Sequence, residues 1–189
     1  MKIIEQAKNY FYENVTADND PWDLLIHVPD AERWAEIILK RCPKADRETV
    51  MLAIWLHDTS YYQGDKDMDH AVKSEIDARQ FLKKEGYNPE KIEKVCHCVR
   101  AHRNRDIKPE TLEAELICLI DSISHFTYGP YLPMTQDGRG AQSLEKLERD
   151  YGDLRLFPEI EKELTPLYQA WKDLITEFMK SEWYRKKVE

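Results

Sequence analysis

Met51-Leu52-Ala53-Ile54-Trp55-Leu56-His57-Asp58 is an apolar helical run that ends in two side chains able to bind a metal ion. An imidazole and a carboxylate cost free energy when buried without a partner, so a hydrophobic helix that brings both to one point must satisfy them there. A divalent cation would do so, because neutral imidazole nitrogen and carboxylate oxygen suit zinc, iron, manganese and similar ions. The pair also has a plainer reading as a helix C-terminus, where the dipole favours histidine and the turn favours aspartate. The segment alone leaves both readings open.

Outward from this run the chain reads as all-α. Apolar residues recur at helical spacing, glycine is scarce, and no period-two alternation stands between turn signals. The spacing predicts helices over residues 2–14, 22–41 with an interruption near Pro29, 46–58, 69–86, 89–102, 109–128, 140–151 and 158–184. Gly86 closes the fourth of these, Asn88-Pro89 opens the fifth as cap and first turn, and Pro109 opens the sixth. The longest loops are expected from Thr59 to Asp69 and from Gly129 to Gly140, and both could border a site. In the last helix Ile160, Leu164, Leu167, Trp171, Leu174 and Phe178 form one apolar stripe, which packs on the protein's own core or against a second copy in a homodimer.

With 189 residues the chain is expected to form a single domain around one helical core, the motif-bearing part at about 20–128 and the helices at 140–184 completing the bundle. Hydrophobic content of 42% and charged content of 34% describe an ordinary globular protein. No stretch nears the roughly 18 apolar residues of a membrane span. The first residues lack the apolar core of a secretory signal, so a cytoplasmic protein is expected. Cys42, Cys96, Cys98 and Cys118 are too scattered for a disulfide framework and read as buried thiols. A net charge of -8 argues against a nucleic-acid polymer as partner. Lys66, Lys73, Arg100, Arg103 and Arg105 nevertheless gather near the motifs, which suits a small anionic substrate.

Two further residues extend the His57-Asp58 pair. His27 emerges from the apolar stretch Leu24-Leu25-Ile26-His27-Val28 beside Pro29, and Asp121 ends the hydrophobic run Leu116-Ile117-Cys118-Leu119-Ile120. Each has an ordinary alternative, a core histidine bonded to a carbonyl or an aspartate capping a turn. In order, His27, His57-Asp58 and Asp121 resemble the pattern of the HD superfamily of metal-dependent phosphohydrolases, here in the form of a small stand-alone hydrolase: a histidine, a His-Asp pair and a distant aspartate. Asp69-His70-Ala71 leading to Gly86-Tyr87, the helix from Ile92 to His102, and Pro109-Glu110-Thr111-Leu112-Glu113-Ala114 resemble the family's connecting helices. The likeness covers about residues 20–128.

The resemblance implies an HD-domain-like helical bundle with a metal site in its core cleft, holding one or two divalent ions of Mn, Fe, Co, Ni or Zn. It implies His27, His57, Asp58 and Asp121 as ligands, with His70 and His102 where some branches bind a second ion and Asp58 bridging the two. The implied activity is hydrolysis of a small phosphorylated metabolite, most plausibly a nucleotide. Asp58 would orient the attacking water, and Lys66, Lys73, Arg103 and Arg105 would meet the phosphates. Cys96-His97-Cys98 lacks the spacing of a structural zinc motif. The acids that flank the last aspartate in nucleotide-hydrolysing relatives are replaced by Leu119 and Ser124, which leaves room for a degenerate nucleotide-binding regulatory module. A di-iron oxygenase is the other alternative, disfavoured because Tyr61 stands where that branch has a substrate-binding lysine.

Overall fold

The run that opened the sequence reading lies in helix α3 (Arg47–Leu56), and every residue from Thr49 to Leu56 is buried. A helix that is apolar on all sides needs neighbours on all sides. α3 has them in α1 (Lys2–Asn14), α2 (Leu24–Arg41), α4 (His70–Lys84) and α5 (Pro89–Ala101). Trp55 shows how tightly they close: its ring meets Phe11 of α1 edge-on at 5.4 Å, and its indole N–H donates to Glu32 of α2 at 3.0 Å. Truncating one of these side chains, Leu52→Ala for example, would cost about 2–5 kcal/mol. The start of α3 is fixed by Asp46, whose carboxylate accepts from the Glu48 and Thr49 amides.

The computed structural model describes residues 2–20, 22–61 and 67–188. Among them are ten α-helices, two 3-10 turns and no strand, the all-α architecture expected from the periodicity. Residues Met1–Asp121 form one compact unit and Ser122–Glu189 a second, and the boundary falls within α6 (Leu112–Tyr128).

Several boundaries differ from the sequence reading for local reasons. Pro29 does not interrupt α2. It lies in the second turn, where the missing N–H removes one bond of the ladder. The first turn is held separately by Asp20, whose carboxylate accepts from the Leu24 and Leu25 amides at 2.7 and 2.8 Å. α6 opens after Thr111 rather than at Pro109, because the Thr111 hydroxyl accepts from the Ala114 amide at 3.2 Å. Gly86 and Asn88-Pro89 act as expected: Gly86 takes a φ of +69°, and the Asn88 side chain accepts from the Glu90 and Lys91 amides.

In the second unit, α7 (Tyr131–Gln136), α8 (Gly140–Asp153), α9 (Pro158–Lys180) and α10 (Glu182–Val188) pack on one another. The expected Gly129–Gly140 loop contains α7, anchored by fully buried Tyr131. A Cβ on Gly140 would stand 2.6 Å from the Met179 sulfur and 2.8 Å from the Tyr184 hydroxyl, so a larger residue there would push those side chains aside. The buried face of α9 is Ile160, Leu164, Tyr168 and Ile175, whereas Leu174 of the expected stripe is 45% exposed. The face is rotated because Tyr168 takes the place foreseen for Leu167. Its ring stacks on Tyr151 at 4.0 Å and its hydroxyl donates to Glu148. Ser181 ends α9 and caps α10 through its hydroxyl, splitting the single helix expected over 158–184.

Candidate metal centre

His57 follows the last residue of α3, and His102 follows the last residue of α5. At a helix C-terminus the final carbonyls have no amide partner within the helix. Both histidines use one. His57 Nδ1 donates to the Ile54 carbonyl at 2.7 Å, and His102 Nδ1 to the Val99 carbonyl at 2.7 Å. A carbonyl can only accept, so each bond places a proton on Nδ1 and turns Nε2 inward, the arrangement of a metal-binding histidine with its second nitrogen anchored.

Those nitrogens meet other polar atoms. His27, from the first turn of α2, has its Nε2 3.2 Å from His57 Nε2 and 3.0 Å from Asp121 Oδ1, and His57 Nε2 is 3.5 Å from the same oxygen. A second group forms alongside, with Asp58 Oδ1 3.6 Å from His70 Nε2 and 3.8 Å from His102 Nε2. Asp58 joins the two groups, since its other oxygen lies 3.7 Å from His57 Nε2. The six side chains therefore form two sets of three potential metal ligands, His27-His57-Asp121 and Asp58-His70-His102. Donors held about 2.0–2.2 Å from one cation stand about 3–4 Å apart, as these do.

Two observations show that the donor set fits a cation. Among the described residues Asp58 Oδ1 is buried and takes no hydrogen bond. Such an atom is costly unless something positive sits against it. The electrostatics agree. Burial alone would raise the Asp58 pKa, but the fields of His57, His70, His102 and His27 outweigh it and hold the carboxyl at about 2. Burial disfavours charge on His57 as well, yet Asp58 and Asp121 prevail and raise that ring to about 9. At His102 burial wins and lowers the ring to about 4, and burial also lowers His70.

The model of the HD domain family matches residues 25–125. The chain belongs to the HD-domain family. HD domains bind divalent metals and are mostly metal-dependent hydrolases of the phosphohydrolase type. Neither the curated proteins nor the solved structures gave a match. Among the described residues no helix of this HD domain chain is long and apolar enough to cross a membrane.

The basic residues singled out in the sequence are placed differently from one another. Lys73 lines a cavity of about 330 Å³ next to His70, together with Tyr61, Asp67, Met68 and Asp69, and its ammonium donates to the Tyr61 carbonyl at 3.2 Å. Arg103 is largely buried, its guanidinium bonded to Asp69 at 2.5 Å. Arg105 is exposed, though its charge reaches the Tyr61 hydroxyl. Lys66 lies outside the described residues. Cys98 does not act as a thiolate here, because burial pushes its thiol up to about 12, and His97 accepts from the Glu110 amide. The sequence placed Tyr61 in a loop that could border the site but gave it no role there. Its ring leans on His70 with centroids 4.5 Å apart, and a tyrosine three residues past a His-Asp pair carries no spacing signal of its own.

Proposed function

We propose that this protein hydrolyses a phosphate ester or anhydride in a small phosphorylated metabolite, with a nucleotide as the favoured substrate. The observation that carries this reading is the pair of ligand triads joined through Asp58, one of them beside an open cavity lined by Lys73. His27, His57 and Asp121 would hold one divalent cation, and Asp58, His70 and His102 a second, with manganese, iron, cobalt, nickel and zinc all compatible with nitrogen and oxygen donors. Once bound, the cations would supply Lewis acidity toward the phosphoryl oxygens and would lower the pKa of a coordinated water toward about 7.

The chain's own groups divide the remaining work. Asp58, held ionised by the four surrounding imidazoles, keeps both carboxylate oxygens available to orient and to bind. The carbonyl bonds from Ile54 and Val99 fix the His57 and His102 rings before any ligand arrives, so little reorganisation remains. Lys73 offers a positive charge in the cavity where an anionic substrate would lie, and Arg105 adds a second at the surface. Burial and the Asp58 carboxylate raise the Tyr61 pKa, so its hydroxyl remains a hydrogen-bond donor at neutral pH. The four cysteines are free thiols, which suits a reducing cytoplasm.

The test is a panel of nucleoside mono-, di- and triphosphates and dinucleoside polyphosphates against Mn, Fe, Co and Mg, read as released phosphate and nucleoside product. Metal-dependent release from at least one member supports the proposal. Nucleotide binding without release across all metals would favour a regulatory module, the reading that Leu119 and Ser124 leave room for.

A further inference from the structure

His70 differs from the other two helix-terminal histidines of the centre. The His57 and His102 rings are each tied to a carbonyl three residues back, and their side chains are 0% and 2% exposed. Among the described residues no such bond holds His70, whose side chain is 20% exposed and whose ring rests on Tyr61 at 4.5 Å. Its place beside Asp58 is therefore set by where α4 begins. That point is marked by Asp69, which caps the helix by accepting from the Ala71 amide at 2.9 Å through Oδ1. Its other oxygen, Oδ2, receives the Arg103 guanidinium at 2.5 Å.

The connectivity of this ion pair is specific. Asp69 immediately precedes His70, and Arg103 immediately follows His102. The two imidazoles, whose ring centroids are 5.4 Å apart, thus sit beside a guanidinium–carboxylate contact that joins α4 and α5 at this end, while Arg100–Glu75 and Arg79–Glu93 join the same helices further along. Arg103 is 16% exposed and Asp69 41% exposed, so the pair contributes little to global stability, and any effect of breaking it should appear locally. Resting on the metal-centre reading above, we propose that the Asp69–Arg103 ion pair is a latch that positions His70 against His102 and so sets the affinity of the Asp58-His70-His102 triad for its cation. Arg103 is then a positioning residue, and substrate contact falls to Lys73 and Arg105.

Asp69→Asn keeps the helix cap, since asparagine accepts the same amide bond, and removes the charge. Arg103→Gln removes the guanidinium. The two variants, their double and the wild type are stripped with chelator and titrated with Co(II), followed by calorimetry and by the cobalt absorption bands. His70→Ala identifies which binding event belongs to the latched triad. The latch predicts that each single variant weakens that event by roughly tenfold and leaves the other unchanged. It also predicts that the double is no worse than either single, because the two residues act as one unit. Arg103→Lys, which keeps the charge but not the planar fork, restores part of the loss.

A purely electrostatic influence gives a different pattern: Asp69→Asn weakens binding, Arg103→Gln strengthens it, and the double cancels. That result overturns the latch, as do variants that bind cobalt like the wild type. A wild type that binds a single cation also overturns it but leaves the His27-His57-Asp121 site standing. A wild type that binds none removes the metal-centre reading itself. Melting temperatures are recorded alongside; if Asp69→Asn does not fold, the comparison of Arg103→Gln with Arg103→Lys decides, and equal affinities for those two overturn the latch.

Discussion

In residues 122–189 the buried carboxylate of Asp150 accepts from the Tyr131 hydroxyl at 2.8 Å and from the Lys146 ammonium at 3.0 Å, with His125 Nδ1 3.2 Å away. In residues 1–121 Asp58 is buried to a similar degree, 7% exposed against 6% for Asp150, but among the described residues its Oδ1 takes no hydrogen bond, and it faces imidazoles at 3.6 and 3.8 Å. Both carboxyls are held near about 2, Asp150 against burial by Lys146 and His125, Asp58 against burial by four histidines. The difference lies in the kind of partner. A lysine and a tyrosine bring permanent donors, so the Asp150 cluster is complete from its own residues. His102, buried and with its other nitrogen committed to the Val99 carbonyl, brings a lone pair instead, so Asp58 lacks the donors that Asp150 has, and a cation could take their place. A buried His-Asp pair is ambiguous in sequence, and the neighbours' spare protons decide what it is for.

This contrast can be broken in three ways. The largest effect is expected from Asp58→Ala, which removes the carboxylate of the Asp58-His70-His102 triad and the oxygen that joins it to His57: metal retention and phosphate release should fall by more than about 100-fold, beyond what outer-shell changes cost. Lys146→Met should leave metal content untouched, and metal loss in that variant would erase the distinction between the two clusters.

The next effect is a pH dependence. Without metal, the His57 ring keeps its proton up to about 9, and a ligand must be neutral, so cation binding expels that proton. Affinity should fall about tenfold for each pH unit below 9 while His57 remains the group displaced. The sign reverses for the metal-free chain. The raised His57 pKa contributes stability fully below the unfolded value of 6.5, and that contribution disappears as pH rises through about 9. Metal titrations and melting curves of stripped protein between pH 6 and 9 should therefore run in opposite directions. Parallel trends would show that His57 is not the titrating group.

The smallest effect belongs to the second cluster. Lys146→Met leaves Asp150 buried with the Tyr131 hydroxyl and His125, at a cost of about 1–3 kcal/mol in chemical denaturation at neutral pH. The lowered Asp150 pKa contributes stability that is present above its ordinary 3.8 and is lost as pH falls toward about 2. The variant should show a shallower acid limb, and an unchanged limb would mean that Lys146 does not hold the charge.

Much of this arrangement is legible in the sequence. The helical period of the apolar residues gives the all-α class, and a cap such as Asn88 is local chemistry that reads directly. His27, His57, Asp58, His70, His102 and Asp121, which are far apart in the chain, do come together in space. What stays hidden depends on tertiary context. Tyr168 displaces Leu167 from the core face of α9 because an amphipathic ring found a stacking partner in Tyr151, which periodicity cannot weigh. Arg103 looks like a phosphate-binding residue until Asp69, 34 positions earlier, is seen to hold it. The carbonyl bonds that orient His57 and His102 were in principle readable, since a histidine just past an apolar helix has unpaired carbonyls within reach. The boundary at Asp121 carries no signal, because it falls in the middle of a continuous helix.

The most direct measurement is elemental analysis of the purified protein, before and after stripping and refilling with Mn, Fe, Co, Ni and Zn in turn. The account predicts at least one transition-metal ion per chain in the wild type and a lower metal content in His57→Ala, which removes a ligand of the His27-His57-Asp121 triad. A wild-type protein that carries no metal as purified and takes up none on refilling would contradict it.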